Sequence, residues 1–362
     1  MSVELYDKIH KNRPTIKDKT INMYINNIKK LNRMVHDDND KELINIEFLN
    51  DISKINSTLD HLHYTTKRNY YNAIIVALSS DDKDDNKLLK EYQDVRDKLN
   101  QQYEDEMATG VISDKQKEAF VDKSEILKVI DEIKDEILIK KIKRKSELSK
   151  KDYQLFMIYL LISIYSKYPF RNDVSGMSVI SKRQYNKLSL EDKTANNYVV
   201  VEKNKMSFVL NEYKTSKKYH EKIIPIDKEL EKIFRLYFRL TNIKSRMDNG
   251  EDTILFVSST GKPLSRNGIS QLLLKTFKAR LGKSISTTML RKIYLSDKYA
   301  DVKEDMEKDA HIMGHSVDTQ QKVYVKEKQE EDDMSEPYKE EKKEELNDVY
   351  DIDDTEENPY DD

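Results

Sequence analysis

The chain of 362 residues has no cysteine. Disulfides, thiolate zinc sites and cysteine nucleophiles are therefore excluded, and the composition suits a reducing compartment. No secretory signal stands at Met1, and the longest apolar run, Leu155–Tyr165, is too short to span a bilayer. The expectation is a soluble, intracellular protein with no membrane association. The Gly261-Lys262 turn is not a P-loop, because the upstream glycine and the Ser/Thr after the lysine are both missing. His311 and His315 have the i, i+4 spacing of a zinc pair. Position 312 is isoleucine and Gly314 interrupts the helix, so an HExxH site is excluded. There is no internal repeat.

What is present is charge, unevenly placed. The formal net charge of −3 hides an acidic end: residues 325–362 hold 5 Lys/Arg against 18 Asp/Glu, net −13. Residues 1–324 hold 59 basic against 49 acidic side chains, net +10. A basic body suits a polyanion, and an acidic tail reads as a solvated, disordered segment. The length fits two domains best.

Residues 1–14 read as an irregular arm ending at Pro14. Ile21, Tyr24, Ile25, Ile28 and Leu31 then recur at helical spacing. Further helices are expected near Ile46–Ile55, from Thr65-Thr66 through Leu78, and from Lys87 to Tyr103, with a polar break at Asp81–Asp85. Residues 1–105 thus form a helical domain, and residues 106–120, with Gly110 and few apolar side chains, form a linker. A second domain is placed at 121–326 and the acidic tail at 327–362.

In the second half, Ser124–Ile137 reads as a helix capped by Ser124. Lys140–Lys151 is a basic run, either a solvated face or a phosphate-binding or nuclear-import patch. Asp152–Tyr168 is apolar nearly all round and reads as a buried central helix stopped by Pro169. Arg171 follows at once, and has either an internal ion pair with Asp173 or an anion at the domain centre to satisfy it. Tyr198–Glu202, Met206–Leu210 and Glu221–Ile226 read as strands, with Lys214 on the hairpin between the last two. Helices are expected at Leu230–Leu240, Ile269–Leu281, Ser286–Ala300 and Glu304–Met313. Gly314 is the expected C-cap of the last, and Asp318 or Thr319 the cap of a helix carrying Tyr324. The fold class is mainly α with a small antiparallel β-sheet.

These residues suit one chemistry. A phosphodiester attacked by a tyrosine oxygen gathers negative charge on its non-bridging oxygens, so it needs fixed cations and hydrogen-bond donors. Arg171 and Arg291 can grip those oxygens in bidentate fashion and stay charged. Lys214 can protonate the departing 5′-oxygen, and His315 can accept the tyrosine proton or donate to the phosphate. Tyr324 would be the nucleophile, conserving the bond energy in a 3′-phosphotyrosine. Tyr294 and Tyr299 are competitors among 22 tyrosines. The scheme requires no metal and no cofactor, in keeping with the lack of a carboxylate cluster nearby.

In order along the chain, Arg171, Lys214, Arg291, Met313-Gly314-His315 and Tyr324 resemble the active site of the tyrosine recombinase, or phage-type integrase, family. Ile254–Lys275 resembles the family's strand, turn and helix before the second arginine, and the segment KTINMYINNIKKLNRM resembles its core-binding domain. The resemblance implies a helical core-binding domain, a mixed α+β catalytic domain, double-stranded DNA as substrate and a homotetramer on DNA. It implies integration or excision of a viral or mobile element. Two departures stand out. Thr288 replaces the histidine of H-x-x-R, which leaves His315 or Lys292 to carry more of the proton transfer. The acidic residue usual three positions after the first arginine is absent, and Asp173, two positions on, is the substitute. A type IB topoisomerase or telomere resolvase shares this chemistry. A catalytically inactive DNA-binding relative and a purely helical interaction protein are the rivals from other classes.

Overall fold

The computed structural model describes residues 2–79, 87–108, 110 and 114–324. The chain divides into two compact units, Met1–Val111 and Ile112–Glu331. The expected polar break at Asp81–Asp85 and the acidic tail lie outside the described residues.

The first unit is helical: α1 (Ser2–Asn12), α2 (Asp18–His36), α3 (Ile52–Leu59), α4 (Tyr64–Leu78) and α5 (Lys87–Ala108). The apolar stripe of α2 supplies Ile21, Tyr24, Ile25, Ile28, Leu31 and Val35 to a core shared with Ile55, Leu59, Ile74 and Tyr92. Asp51 caps α3 by accepting from the Lys54 amide. The buried Tyr92 hydroxyl donates to the Leu49 carbonyl at 2.7 Å. The expected N-terminal arm is instead a helix. Leu5 and Ile9, one turn apart, both bury in this core. Lys8 Nζ donates to the Ala77 carbonyl at 2.8 Å and Asn12 Nδ2 to the Ser79 carbonyl at 2.9 Å. Those carbonyls lie at the end of α4, where a helix has no partners of its own to offer them.

In the second unit the helices are α6 (Asp114–Ala119), α7 (Lys123–Ile139), α8 (Lys150–Lys167), α9 (Lys182–Lys187), α10 (Leu190–Ala195), α11 (Ser216–Tyr219), α12 (Lys228–Leu240), α13 (Ile243–Asp248), α14 (Arg266–Leu281), α15 (Thr287–Met313) and α16 (Val317–Thr319). A π-helical turn, Gln320–Tyr324, follows α16. The strands β1 (Ser178–Ser181), β2 (Tyr198–Val201), β3 (Met206–Leu210) and β4 (Lys222–Pro225) pair in the order β1-β2-β3-β4. The β2–β3 and β3–β4 pairs are antiparallel as expected, and β1 adds a parallel edge beside β2. The protein is therefore mainly α with a small mixed sheet.

Helix α8 is the centre of this unit. Ser149 caps it, and Phe156, Leu160, Leu161, Ile164 and Tyr165 are buried among residues of α7, α12, α14 and α15. Tyr237 of α12 stacks on Phe156 at 5.9 Å. Three boundaries differ from the sequence reading. Helix α7 starts at Lys123, so Ser124 lies inside it rather than capping it. The residues read as a linker are partly helical, at the end of α5 and in α6. The two helices expected at Ser286–Ala300 and Glu304–Met313 are one helix of 27 residues. Asp301–Asp305 is polar apart from Val302, but no Gly or Pro occurs between Thr287 and Met313 to break the hydrogen-bond ladder. Side-chain pairs Lys303–Glu307 and Glu304–Lys308 bridge that stretch at 3.5 and 2.7 Å.

Candidate active site

Arg171 is placed by the end of α8. Tyr168 precedes proline and takes an extended conformation (φ −130°, ψ 124°), which ends the helix. The Tyr165 hydroxyl contacts the Arg171 carbonyl at 3.0 Å and the Asn172 Oδ1 at 3.1 Å. Asn172 in turn donates to the Arg266 carbonyl and to Ser270 Oγ on α14. The backbone carrying Arg171 is thus fixed while its side chain is exposed. Asp173 is buried, and its Oδ1 accepts no hydrogen bond among the described residues. Burial pushes its carboxyl above the ordinary value, and the positive charges of Arg266, Arg171 and Arg291 pull it back. No ion pair closes between Arg171 and Asp173; the two interact through this field and through a hydrogen bond that the Asp173 carboxyl accepts from the Arg171 backbone amide.

Arg291 comes from the first turns of α15, which Ser286 caps by accepting from the Met289 amide. Met289, Leu290 and Ile293 bury the inner face, leaving Thr288, Arg291 and Lys292 at a surface. Arg291 Nη2 donates to Thr288 Oγ1 at 3.2 Å. The position that would carry an imidazole therefore orients the arginine instead. Lys292 Nζ donates to Gln116 Oε1 of α6 at 2.7 Å, and partial burial pushes its amine below the usual lysine value.

Arg171, Asp173, Thr288, Arg291 and Lys292 line one cleft of about 620 Å³, together with Tyr213, Thr215, Lys222 and Leu295. Lys214 is exposed on the β3–β4 connection but does not line that cleft, although both its neighbours do. Asn197 holds the start of this connection: its Oδ1 accepts from the Asn211 and Glu212 amides at 2.8 Å each. Lys222, the first residue of β4, lies over the Tyr213 ring at 4.7 Å. Sequence reasoning missed Lys222, Arg266 and Gln116. The alternation of β4 would have found Lys222, since even-numbered positions there share a face. Nothing in the sequence pairs Gln116 with Lys292.

His315 and Tyr324 belong together and away from the cleft. Gly314 closes α15 in the left-handed conformation (φ 72°), and the His315 amide donates to the Ala310 carbonyl. His315 Nδ1 lies 3.1 Å from the Ser316 carbonyl oxygen, which can only accept. Nδ1 therefore carries a proton, and Nε2 has no hydrogen-bond partner among the described residues. The imidazole stacks on Tyr324, centroids 5.0 Å apart and 12° between planes. Ser316, rather than Asp318 or Thr319, caps the segment that follows. Helix geometry fixes the distance to the arginines. Arg291 and Gly314 are 23 residues apart on a continuous helix, about 34 Å at 1.5 Å per residue. Stacking keeps the Tyr324 ring within roughly 12 Å of Gly314. At least about 20 Å therefore separates that ring from the Arg291 Cα.

No family model matches the chain, and no curated protein does. Among solved structures, it is similar to the XerH site-specific recombinase bound to its difH substrate in a pre-cleavage complex. That similarity is at 15% identity over 89% of this chain and 81% of the other, with a TM-score of 0.44. At that identity and score it fixes no residue and no activity of this chain. No helix among the described residues is long and apolar enough to cross a membrane.

Proposed function

We propose that this protein is a tyrosine recombinase that cleaves and rejoins double-stranded DNA through a 3′-phosphotyrosine. The observation that carries the reading is the cleft that gathers Arg171 and Arg291 with Thr288, Lys292 and Lys222. Four cationic side chains around one cleft suit a phosphodiester better than any neutral ligand. The arginines hold the non-bridging oxygens. Tyr324 Oη attacks phosphorus and His315 Nε2 takes its proton. The P–O5′ bond breaks, and the leaving 5′-oxygen takes a proton from Lys214 on its connection or from Lys292, whose depressed value makes the ammonium a better donor. Religation reverses each step. The N-terminal unit supplies phosphate contacts that position the chain on DNA, and four copies act on a pair of sites. Integration or excision of a viral or mobile element is the biological setting that the resemblance implies.

The experiment is covalent trapping. Wild type and Tyr324→Phe are incubated with nicked duplexes drawn from a pool randomised around the nick, then run on a denaturing gel. A shifted band for wild type that vanishes in the variant is expected. No band with DNA that the protein demonstrably binds would replace the proposal with an inactive DNA-binding relative. The separation of Tyr324 from the cleft is the observation favouring that second reading.

A further inference from the structure

The β3–β4 connection, residues 211–221, stands between two cavities. Tyr213 and Thr215 of the connection, with Lys222 at its end, line the arginine cleft. Asn211, Lys217, His220 and Glu221 line a second cavity of about 540 Å³, closed on its other side by Tyr185 of α9 and by Leu190 and Lys193 of α10. No residue lines both. The back of the second cavity is fixed. Tyr185 is buried, packs edge-on against Tyr198 at 5.4 Å and donates its hydroxyl to the Glu221 carboxylate. Burial, and then that hydrogen bond, push the phenol up to about 12, so it stays a donor at neutral pH. Lys193 Nζ lies over the Tyr185 ring at 5.1 Å. Neither Lys193 nor Lys217 closes an ion pair among the described residues. Two ammonium groups and the His220 imidazole thus share the cavity with one carboxylate, which is already engaged.

We propose that this second cavity binds a free phosphate-bearing ligand of nucleotide size, and that the bound ligand holds the β3–β4 connection in place. Ammonium and imidazolium groups bind phosphate oxygens through charge-assisted hydrogen bonds, and a concave space of this volume is of the usual size for a small ligand. Leu190, 78% exposed at the rim, offers apolar surface to the rest of such a molecule. The coupling runs through His220. Its φ of 51° with ψ of −153° is a backbone conformation that residues other than glycine rarely adopt, and such strain persists only where the surroundings hold it. The His220 amide donates to the Ser216 carbonyl at 2.8 Å, and the His220 carbonyl accepts from the Tyr213 hydroxyl at 2.7 Å. Tyr213 lies under Lys222 at the arginine cleft. A ligand gripped by Lys217 and His220 therefore restrains the same backbone that carries Tyr213 and Lys214. The binding itself is independent of the recombinase reading; its consequence, control over the Lys214 that the proposed cleavage uses, rests on that reading.

Isothermal titration calorimetry on the full chain without DNA tests the site, with ADP as the probe and adenosine as the probe lacking phosphate. ADP is expected to bind the wild type and an Arg171→Ala, Arg291→Ala double variant alike, and adenosine to bind neither. A Lys193→Ala, Lys217→Ala double variant, its fold checked by circular dichroism, should bind ADP about tenfold or more weakly, since two charge-assisted hydrogen bonds are lost. No binding of ADP overturns the proposal, as does adenosine binding equally well. A loss that follows the arginine variant instead of the lysine variant also overturns it. Full displacement of ADP by a saturating short duplex would make the cavity a contact for DNA phosphates and overturn the free ligand. Hydrogen exchange reads the coupling. ADP should slow amide exchange across residues 211–222 in the wild type and not in the lysine variant, and an unchanged rate overturns the hold on the connection. None of these readouts needs cleavage, so a missing covalent band in the trapping experiment counts against the recombinase reading alone.

Discussion

Asp173 shows how burial and charge compete at a single residue. Its carboxyl sits beneath three arginines, yet burial outweighs them and raises its proton affinity. A carboxyl raised in the fold binds more protons than in the unfolded chain. Its contribution to stability is therefore greatest at low pH and is lost as pH rises through the raised value. Asp173→Asn should flatten the fall in stability from about pH 4 upward, as read by denaturant midpoints across pH; an unchanged profile would show that the arginines compensate fully. Arg291→Ala removes one arm of the charge clamp and should slow cleavage by about 10²–10³-fold, measured in single-turnover trapping. Arg171 and Asp173 were legible in sequence because a buried helix that ends on an arginine poses a charge problem, whereas Arg291, in the first turns of α15, was legible only through the ordered set of residues that resembles a tyrosine recombinase site. Lys222 was overlooked: the alternation of β4 puts it on one face with Ile224, but which lysine of this region lines the cleft, Lys222 or Lys214, is decided by the fold of the β3–β4 connection.

Element boundaries follow from hydrogen bonds that periodicity does not report. The strands β2, β3 and β4 were legible as β-branched runs between polar turns, whereas β1, no shorter than β2 or β4, pairs in parallel across an intervening helical connection. Helix α1 was hidden by its polar composition, since only Leu5 and Ile9 reveal its buried side. An irregular arm would tolerate Ile9→Ala; the observed helix predicts a loss of about 2 kcal/mol or more on urea unfolding. Helix α15 was divided in the sequence reading by a charged stretch, yet charge alone does not end a helix. Gly314 does end it. Its φ of 72° makes Gly314→Ala cost about 1 kcal/mol through backbone strain alone, because nothing lies within 4 Å of the added Cβ. Thermal unfolding checks that value.

At the scale of the molecule, charge is segregated: a body of +10 is followed by 38 residues of −13. If the chain binds DNA as proposed, an acidic segment tethered to it would compete with DNA for its basic side chains. Deleting residues 327–362 should tighten DNA binding at low salt, and the difference should shrink as salt rises; equal affinity at low salt would remove this role for the tail. The central claim, however, is chemical. The most direct test is to digest the trapped protein–DNA adduct and identify the modified peptide by mass spectrometry. The account predicts a nucleotide on the peptide containing Tyr324, and modification of Tyr294, Tyr299 or any other tyrosine in its place would contradict it.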